Sequence, residues 1–268
     1  MYMPHIELAA EKLFILFGIP ITNALLTGWV VVLVLTIVAI LVSRRIALIP
    51  GTLQSIWEMM IEGFLGFMEG IYGSRANAER YFPIIGAIFF FIITSNWLGI
   101  LPGVGSIEFE AHGAHLPLFR SAASDLNFTL ALGISAMALV NWSGMRALGI
   151  GSHFSKFFTL KNPIATFVGL LEFISEFAKI ISFSFRLFGN IFAGEVLLTI
   201  IAFVAGILTP AAVGSAQSLI MAGALMPFLG LEIFVGLVQA LVFAMLTMVF
   251  ISISIAHHDE SPAHEHVK

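Results

Sequence analysis

The sequence predicts an all-α membrane protein with about five membrane-crossing helices and an interfacial amphipathic helix. The last two helices are expected to be long, steeply tilted and folded into a hairpin. Three observations lead there. The 268 residues are 59% hydrophobic and 10% charged, with a mean hydropathy of +1.02, whereas soluble domains carry about a quarter charged residues. Apolar runs of the ~20 residues that one crossing needs recur along the chain. The last two runs are each far longer than one crossing requires.

Composition also excludes several chemistries. With no cysteine, the chain has no disulfide scaffold, thiolate metal site or thiol nucleophile. A net charge of −4 without a basic block gives no footprint for nucleic acid. The opening "MYMPHIELAAEKLF" lacks a positive region followed by a short apolar core, so no cleavable signal peptide is expected. A single polytopic domain is anticipated. It comprises an N-terminal segment (1–21), the first helices (22–147), a tilted helical hairpin (163–256) and a polar tail (257–268).

Taken in order, the first span is "NALLTGWVVVLVLTIVAILV", about 23–42, stopped by Ser43-Arg44-Arg45. About 51–73 follows, with apolar residues every three or four positions and Glu58, Glu62 and Glu69 on its polar side. Such a helix lies in the interface or packs on others. A second span, about 82–101, ends at Pro102-Gly103. The loop after it holds Glu108, Glu110, His112 and His115. A third span runs from near Asp125 to about 145, and the polar linker "GSHFSKFFTLKN" leads to Pro163, suited to a first helical turn.

Two segments remain, about 163–207 and 218–256. At ~1.5 Å per residue the first is about 65 Å long, twice the ~30 Å hydrocarbon layer. Few breakers interrupt either, so steep tilt is expected rather than broken pairs, and a helix held so flat must lean on a protein partner. Eight basic residues (Arg44, Arg45, Arg75, Arg80, Arg146, Lys156, Lys161, Lys268) against two (Lys12, Arg120) place the N-terminus outside and the C-terminus in the cytoplasm.

The chemistry sits in the final pair. At 100° per residue, Glu172, Lys179, Ser182 and Asn190 all fall within about 40° of Arg186, a polar seam on an apolar rod. Glu172, Glu176 and Lys179 are spaced so that the lysine can pair locally with a carboxylate of the group. Glu195 stands on the opposite face, ~13 Å along the axis, so it cannot be a simple ion-pair partner of Arg186. A hairpin centred near residue 212 puts Arg186 opposite about 238, beside Gln239, and Glu195 near Glu232. Arg186 is a permanent cation, not a proton carrier. Two neighbouring buried carboxyls suit a proton relay. Arg186 has no carboxylate of its own at its level, which implies one on another chain.

The string R-L-F-G-N-x-x-A-G-E at 186–195 and "GLEIFVGLVQALVFAMLTMVFISIS" after it resemble the a-subunit family of F-type rotary ATP synthases. So do "SDLNFTLALG", "NWLGILPG" and "GTLQSIWEMMIEGFLGFMEGIYG", and together they cover about 40–256. Phe183 and Phe185 stand where that family would place leucine or smaller side chains. The resemblance implies a non-catalytic, proton-translocating stator in a bacterial inner membrane, with no cofactor and no metal. Its partners would be a ring of small helical-hairpin subunits (subunit c), each with one carboxylate, and the peripheral-stalk subunit b. By this likeness Arg186 meets each ring carboxylate between two aqueous half-channels. Glu195 and Glu232 would line the outer one, with Asn190 and Gln239 near the junction. Glu172, Glu176, Lys179 and Ser182 would lie toward the cytoplasmic exit, and Asn96 and Asp125 are candidates for the outer side.

Blander roles compete at several positions. Asp125 also suits a helix cap, Asn96 a helix–helix contact, His112 and His115 a solvated loop, and the His-rich tail a solvated end. A stand-alone channel or transporter using Arg186 as a counter-charge is the rival from another class, and a purely structural scaffold is a second.

Overall fold

The computed structural model describes residues 10–256 apart from positions 17, 45, 48–49, 102–103, 105–106, 112–113, 156, 158–162 and 209–214. His112, Lys156, Lys161, the turn around 212 and the tail therefore lie outside the described residues. Among those described, seven helices occur: α1 (Asn23–Ser43), α2 (Thr52–Tyr72), α3 (Arg75–Ile100), α4 (Leu126–Leu148), α5 (Ile150–Ser155), α6 (Pro163–Leu208) and α7 (Ser215–Ala256). Five of them, α1, α3, α4, α6 and α7, are long and apolar enough to cross a membrane. The architecture is the all-α membrane fold that composition predicts.

α1 starts where the Thr22 hydroxyl caps the Leu25 N–H at 3.2 Å. It is apolar all round, with Trp29, Leu33, Ile37 and Leu41 exposed, as a lipid-facing helix requires. α2 is two-faced. Leu65 and Met68 are buried while Glu58, Glu62 and Glu69 are exposed, and the helix ends on Gly73 in the left-handed region, φ +65°, which glycine reaches without strain.

α3 begins seven residues before the expected 82. Arg75 binds Glu79 one turn on (2.9 Å) and reaches back to Glu62 of α2 with two bonds of 2.8 Å. These charges support a helical turn that an apolar-run criterion scores as loop. Pro83 sits inside α3. Its missing N–H leaves only the carbonyl of the exposed Glu79 unpaired, a light burden at a helix end.

Two β-hairpins depart from the expectation of plain segments. β1 (Lys12–Leu16) pairs antiparallel with β2 (Ile19–Thr22), and β3 (Glu108–Ala111) with β4 (Ala114–Pro117), the latter with Glu110 opposite His115 in the backbone register. The Asn23 side chain joins them, its Nδ2 donating to Glu11 Oε2 (3.2 Å) and to the Pro117 carbonyl (3.3 Å). The short strands carry little alternation of their own and are organised around the first turn of α1. The first five residues of the expected linker, 151–155, are helical as part of α5, which buries His153.

The core forms where α3, α4, α6 and α7 meet. α7 contributes Ala240, Phe243, Ala244, Met248 and Ile251, and α6 contributes Phe183, Leu187 and Ile191. Small residues let the backbones close in. A Cβ on Gly133 of α4 would strike Ser184 of α6, and one on Gly144 would strike Ser254 of α7.

Candidate functional site

α6 is one unbroken helix of 46 residues and α7 one of 42. No proline interrupts α6 after its first residue, and α7 passes through Pro227. They run antiparallel. Phe183 meets Phe243 with ring centroids 4.9 Å apart, and Gly194 meets the carboxylate of Glu232. The same eleven-residue step thus runs forward on one helix and backward on the other. A Cβ at 194 would collide with that carboxylate, so the glycine of the A-G-E string is what lets α7 seat Glu232 against α6.

Three residues on from Phe183, this register brings Arg186 level with residue 240, beside the buried Gln239. No hydrogen bond joins the two among the described residues. α6 buries Phe183, Ser184, Leu187 and Phe188 and exposes Ile181, Ser182, Phe185, Arg186 and Asn190. Arg186 therefore points away from its own bundle. Its one polar partner among the described residues is the Ser182 hydroxyl, one turn back at 3.3 Å, and no described carboxylate is within ion-pair distance.

Behind that face the two carboxylates come together. Glu232 is buried, and Glu195 lies near enough for their charges to interact. Glu195 has a partner that sequence reasoning missed. Arg120 Nε donates to Glu195 Oε1 at 3.1 Å and Oε2 at 3.2 Å, and its guanidinium lies over the Phe192 ring at 5.9 Å. The Arg120 side chain is only 8% exposed. Its position five residues before the Asp125 cap, within "LFRSAASD", was the available signal, but nothing local ties it to residue 195.

The remaining candidates fall into one cluster around Glu176 and two separate hydrogen-bonded positions. Glu176 binds Lys179 at 2.7 Å and accepts from Asn141 Nδ2 at 3.3 Å, and Asn141 Oδ1 is 3.0 Å from His153 Nε2. Lys179 also lies over the Phe250 ring at 4.8 Å. A cavity of about 190 Å³ opens onto Asn141, His153 and Glu176. Glu172 lies half-buried one turn earlier on α6. Asn96 is buried and donates to the Gly236 carbonyl at 3.1 Å, one turn of α7 beyond Glu232. Asp125 caps α4, accepting from the Asn127 N–H at 3.0 Å.

Fold and site together define a multi-pass membrane protein with a fixed cation on an outward helix face and paired carboxylates behind it. Residues 25–252 match the family model described as ATP synthase A chain. The chain is 32% identical over 246 residues to ATP synthase subunit a 1 of Hahella chejuensis, covering 90% of this chain and 88% of that one. It is 29% identical over 250 residues to ATP synthase subunit a of Moorella thermoacetica, covering 93% and 97%. With ATP synthase subunit a of Helicobacter pylori strain 26695 it shares 32% over 230 residues, covering 85% and 88%. The chain belongs to the ATP synthase A chain family, membrane components of the ATP synthase complex.

Proposed function

We propose that this chain is the stator that carries protons to and from a rotating ring of subunits c, coupling transmembrane proton flow to ATP synthesis. The observation that supports it most is Arg186. A permanent charge at bilayer depth costs a few kcal/mol on insertion scales, and here it faces outward with the Ser182 hydroxyl as its one polar partner among the described residues. A carboxylate on an adjacent chain supplies the missing counter-charge. As each ring carboxylate passes, Arg186 holds it ionised and bars a direct path for the proton, which must ride the ring. Glu195 and Glu232, with Asn190 and Gln239 near the junction, line the path from the outer side. Glu172, Glu176, Lys179 and Ser182 line the cytoplasmic one.

α6 and α7, each about twice the length one crossing needs, lie steeply tilted so that they follow a cylinder. The N-terminus is outside and the C-terminus cytoplasmic. Peripheral-stalk subunit b anchors the stator. Each proton crossing 100 mV supplies about 2.3 kcal/mol, so several are needed per ATP.

The test is Arg186→Ala in membrane vesicles holding the intact complex. ATP synthesis and ATP-driven proton pumping are expected to vanish while the complex, followed by immunoblot, still assembles. Retention of coupled synthesis removes the reading. Steady proton flux through the isolated, reconstituted chain would instead favour the stand-alone channel.

A further inference from the structure

We propose that Arg120 is a positioning residue of the outer proton path, holding Glu195 as a fixed anion so that Glu232 alone takes up and releases the proton. This rests on the reading of the site given above and assigns unlike roles to its two carboxylates. Glu195 receives Arg120 Nε on both oxygens, and the Phe192 ring, one turn earlier on α6, backs the guanidinium. Among the described residues Glu232 has no hydrogen-bond or ion-pair partner, and it is seated against the bare backbone of Gly194. Among the described residues the charged groups facing Glu195 are thus Arg120, from the segment after β4, and Glu232, from α7. Two carboxyl groups in such different surroundings take different parts in proton transfer.

The arginine is aimed from a rigid support. Its backbone N–H donates to Thr27 Oγ1 at 3.2 Å, and that hydroxyl donates to the Asn23 carbonyl at 3.0 Å. Three residues earlier, the Pro117 carbonyl accepts from Asn23 Nδ2. The chain on the N-terminal side of Arg120 is therefore clamped to the first turn of α1, and the side chain reaches from there to α6. An ion pair with one buried member, Arg120, and one half-exposed member, Glu195, is weak support for stability, because desolvation of the arginine opposes the attraction. Its place one residue from the Gly194–Glu232 contact gives it a function instead: it commits one of two neighbouring carboxyls to an ion pair.

The experiment measures ATP synthesis per assembled complex in vesicles as the pH on the outer face is varied. The variants are Arg120→Gln, Arg120→Lys, Glu195→Gln and the double Arg120→Gln/Glu195→Gln. Arg120→Gln leaves two adjacent uncompensated carboxyls. It is expected to lower synthesis by about tenfold or more and to move the midpoint of the outer-pH profile in the alkaline direction by about one unit. Arg120→Lys keeps the wild-type midpoint. Glu195→Gln takes the carboxylate away from Arg120 and is also impaired. The double variant leaves neither charge and recovers severalfold over either single one.

The proposal is overturned if Arg120→Gln lowers only the amount of complex and leaves the profile in place, since that is the signature of a structural clamp. It is equally overturned if the double variant is no better than either single one, since Glu195 would then itself carry the proton. Should Arg120→Gln fail to assemble, the double variant still decides, because it removes both members of the ion pair. Failure here with Arg186→Ala inactive removes this assignment only. Retained synthesis in Arg186→Ala removes the underlying reading as well.

Discussion

Adding one methyl group at position 194 tests the site with little disturbance elsewhere. Alanine is a better helix former than glycine by about 1 kcal/mol, so on α6 alone Gly194→Ala is stabilising. Its Cβ, however, falls on the Glu232 carboxyl group, inside contact with Cδ and both oxygens. To regain about 3.5 Å of separation the carboxyl has to retreat by roughly 1.5 Å. Overpacking costs about 1–3 kcal/mol, and the gain in helix propensity offsets about 1 kcal/mol of it. The net destabilisation is therefore about 0–2 kcal/mol, and the colliding group is the flexible end of a glutamate. α6 and α7 stay paired through Phe183 and Phe243, and the complex assembles.

Function suffers more than stability. A misplacement of ~1 Å in a reacting group costs on the order of 100-fold, so proton-driven ATP synthesis per assembled complex is expected to fall between about tenfold and a hundredfold. The companion variant supplies the check. Glu232→Asp withdraws the carboxyl by one methylene, about 1.5 Å, the same retreat that the alanine forces, and so leaves the added methyl group nothing to strike. Gly194→Ala/Glu232→Asp should therefore match Glu232→Asp alone within about twofold, with synthesis followed in vesicles by luminescent ATP detection. Wild-type activity in Gly194→Ala, or a double variant well below Glu232→Asp, refutes the reasoning.

Two further outcomes follow from the same structure. Asp125→Ala removes the α4 cap and should lower stability by about 1 kcal/mol, read as a lower unfolding temperature in detergent, whereas Asp125→Asn, an equivalent cap, should stay within a few tenths. If asparagine falls as far as alanine, charge rather than capping is at work. At the α2–α3 corner, hydrogen bonds from Arg75 hold the Glu62 carboxyl below its ordinary range. A depressed folded value contributes stability above the unfolded value of about 4.3 and loses it as the pH falls through the folded one. Hydrogen-exchange protection of α2 should therefore be flat above pH ~5 and decline below pH ~4. Glu62→Gln should blunt that decline, and an unaltered decline would show that Glu62 is not its source.

Much of this protein is written in local patterns. Apolar run length set five spans, and Asn23–Ser43, Pro163–Leu208 and Ser215–Ala256 lie within three residues of the expected bounds. The polar seam through Arg186 and the hairpin register were legible because an unbroken helix is rigid: spacing along the chain converts directly into angle and rise. A centre near 212 put Arg186 opposite about 238, and the structure puts it opposite 240. Charge-supported turns were harder to see, as at Arg75, because an apolar criterion ignores ion pairs. The short strands were also hidden, since their order comes from Asn23 and α1 rather than from alternation within them.

What the residues alone determined is therefore the class of fold, the outward cation and the place of the two carboxylates. What only the tertiary structure decided is which polar groups meet. Arg120 and Glu195 lie 75 positions apart in the chain, joined by no periodicity, and His153 meets Asn141 from a segment that reads as linker. Side-chain pairing across a bundle depends on how loops deliver atoms to a shared space. A helical repeat fixes the direction of a side chain along one rod, but it carries no information about which distant segment arrives to face it.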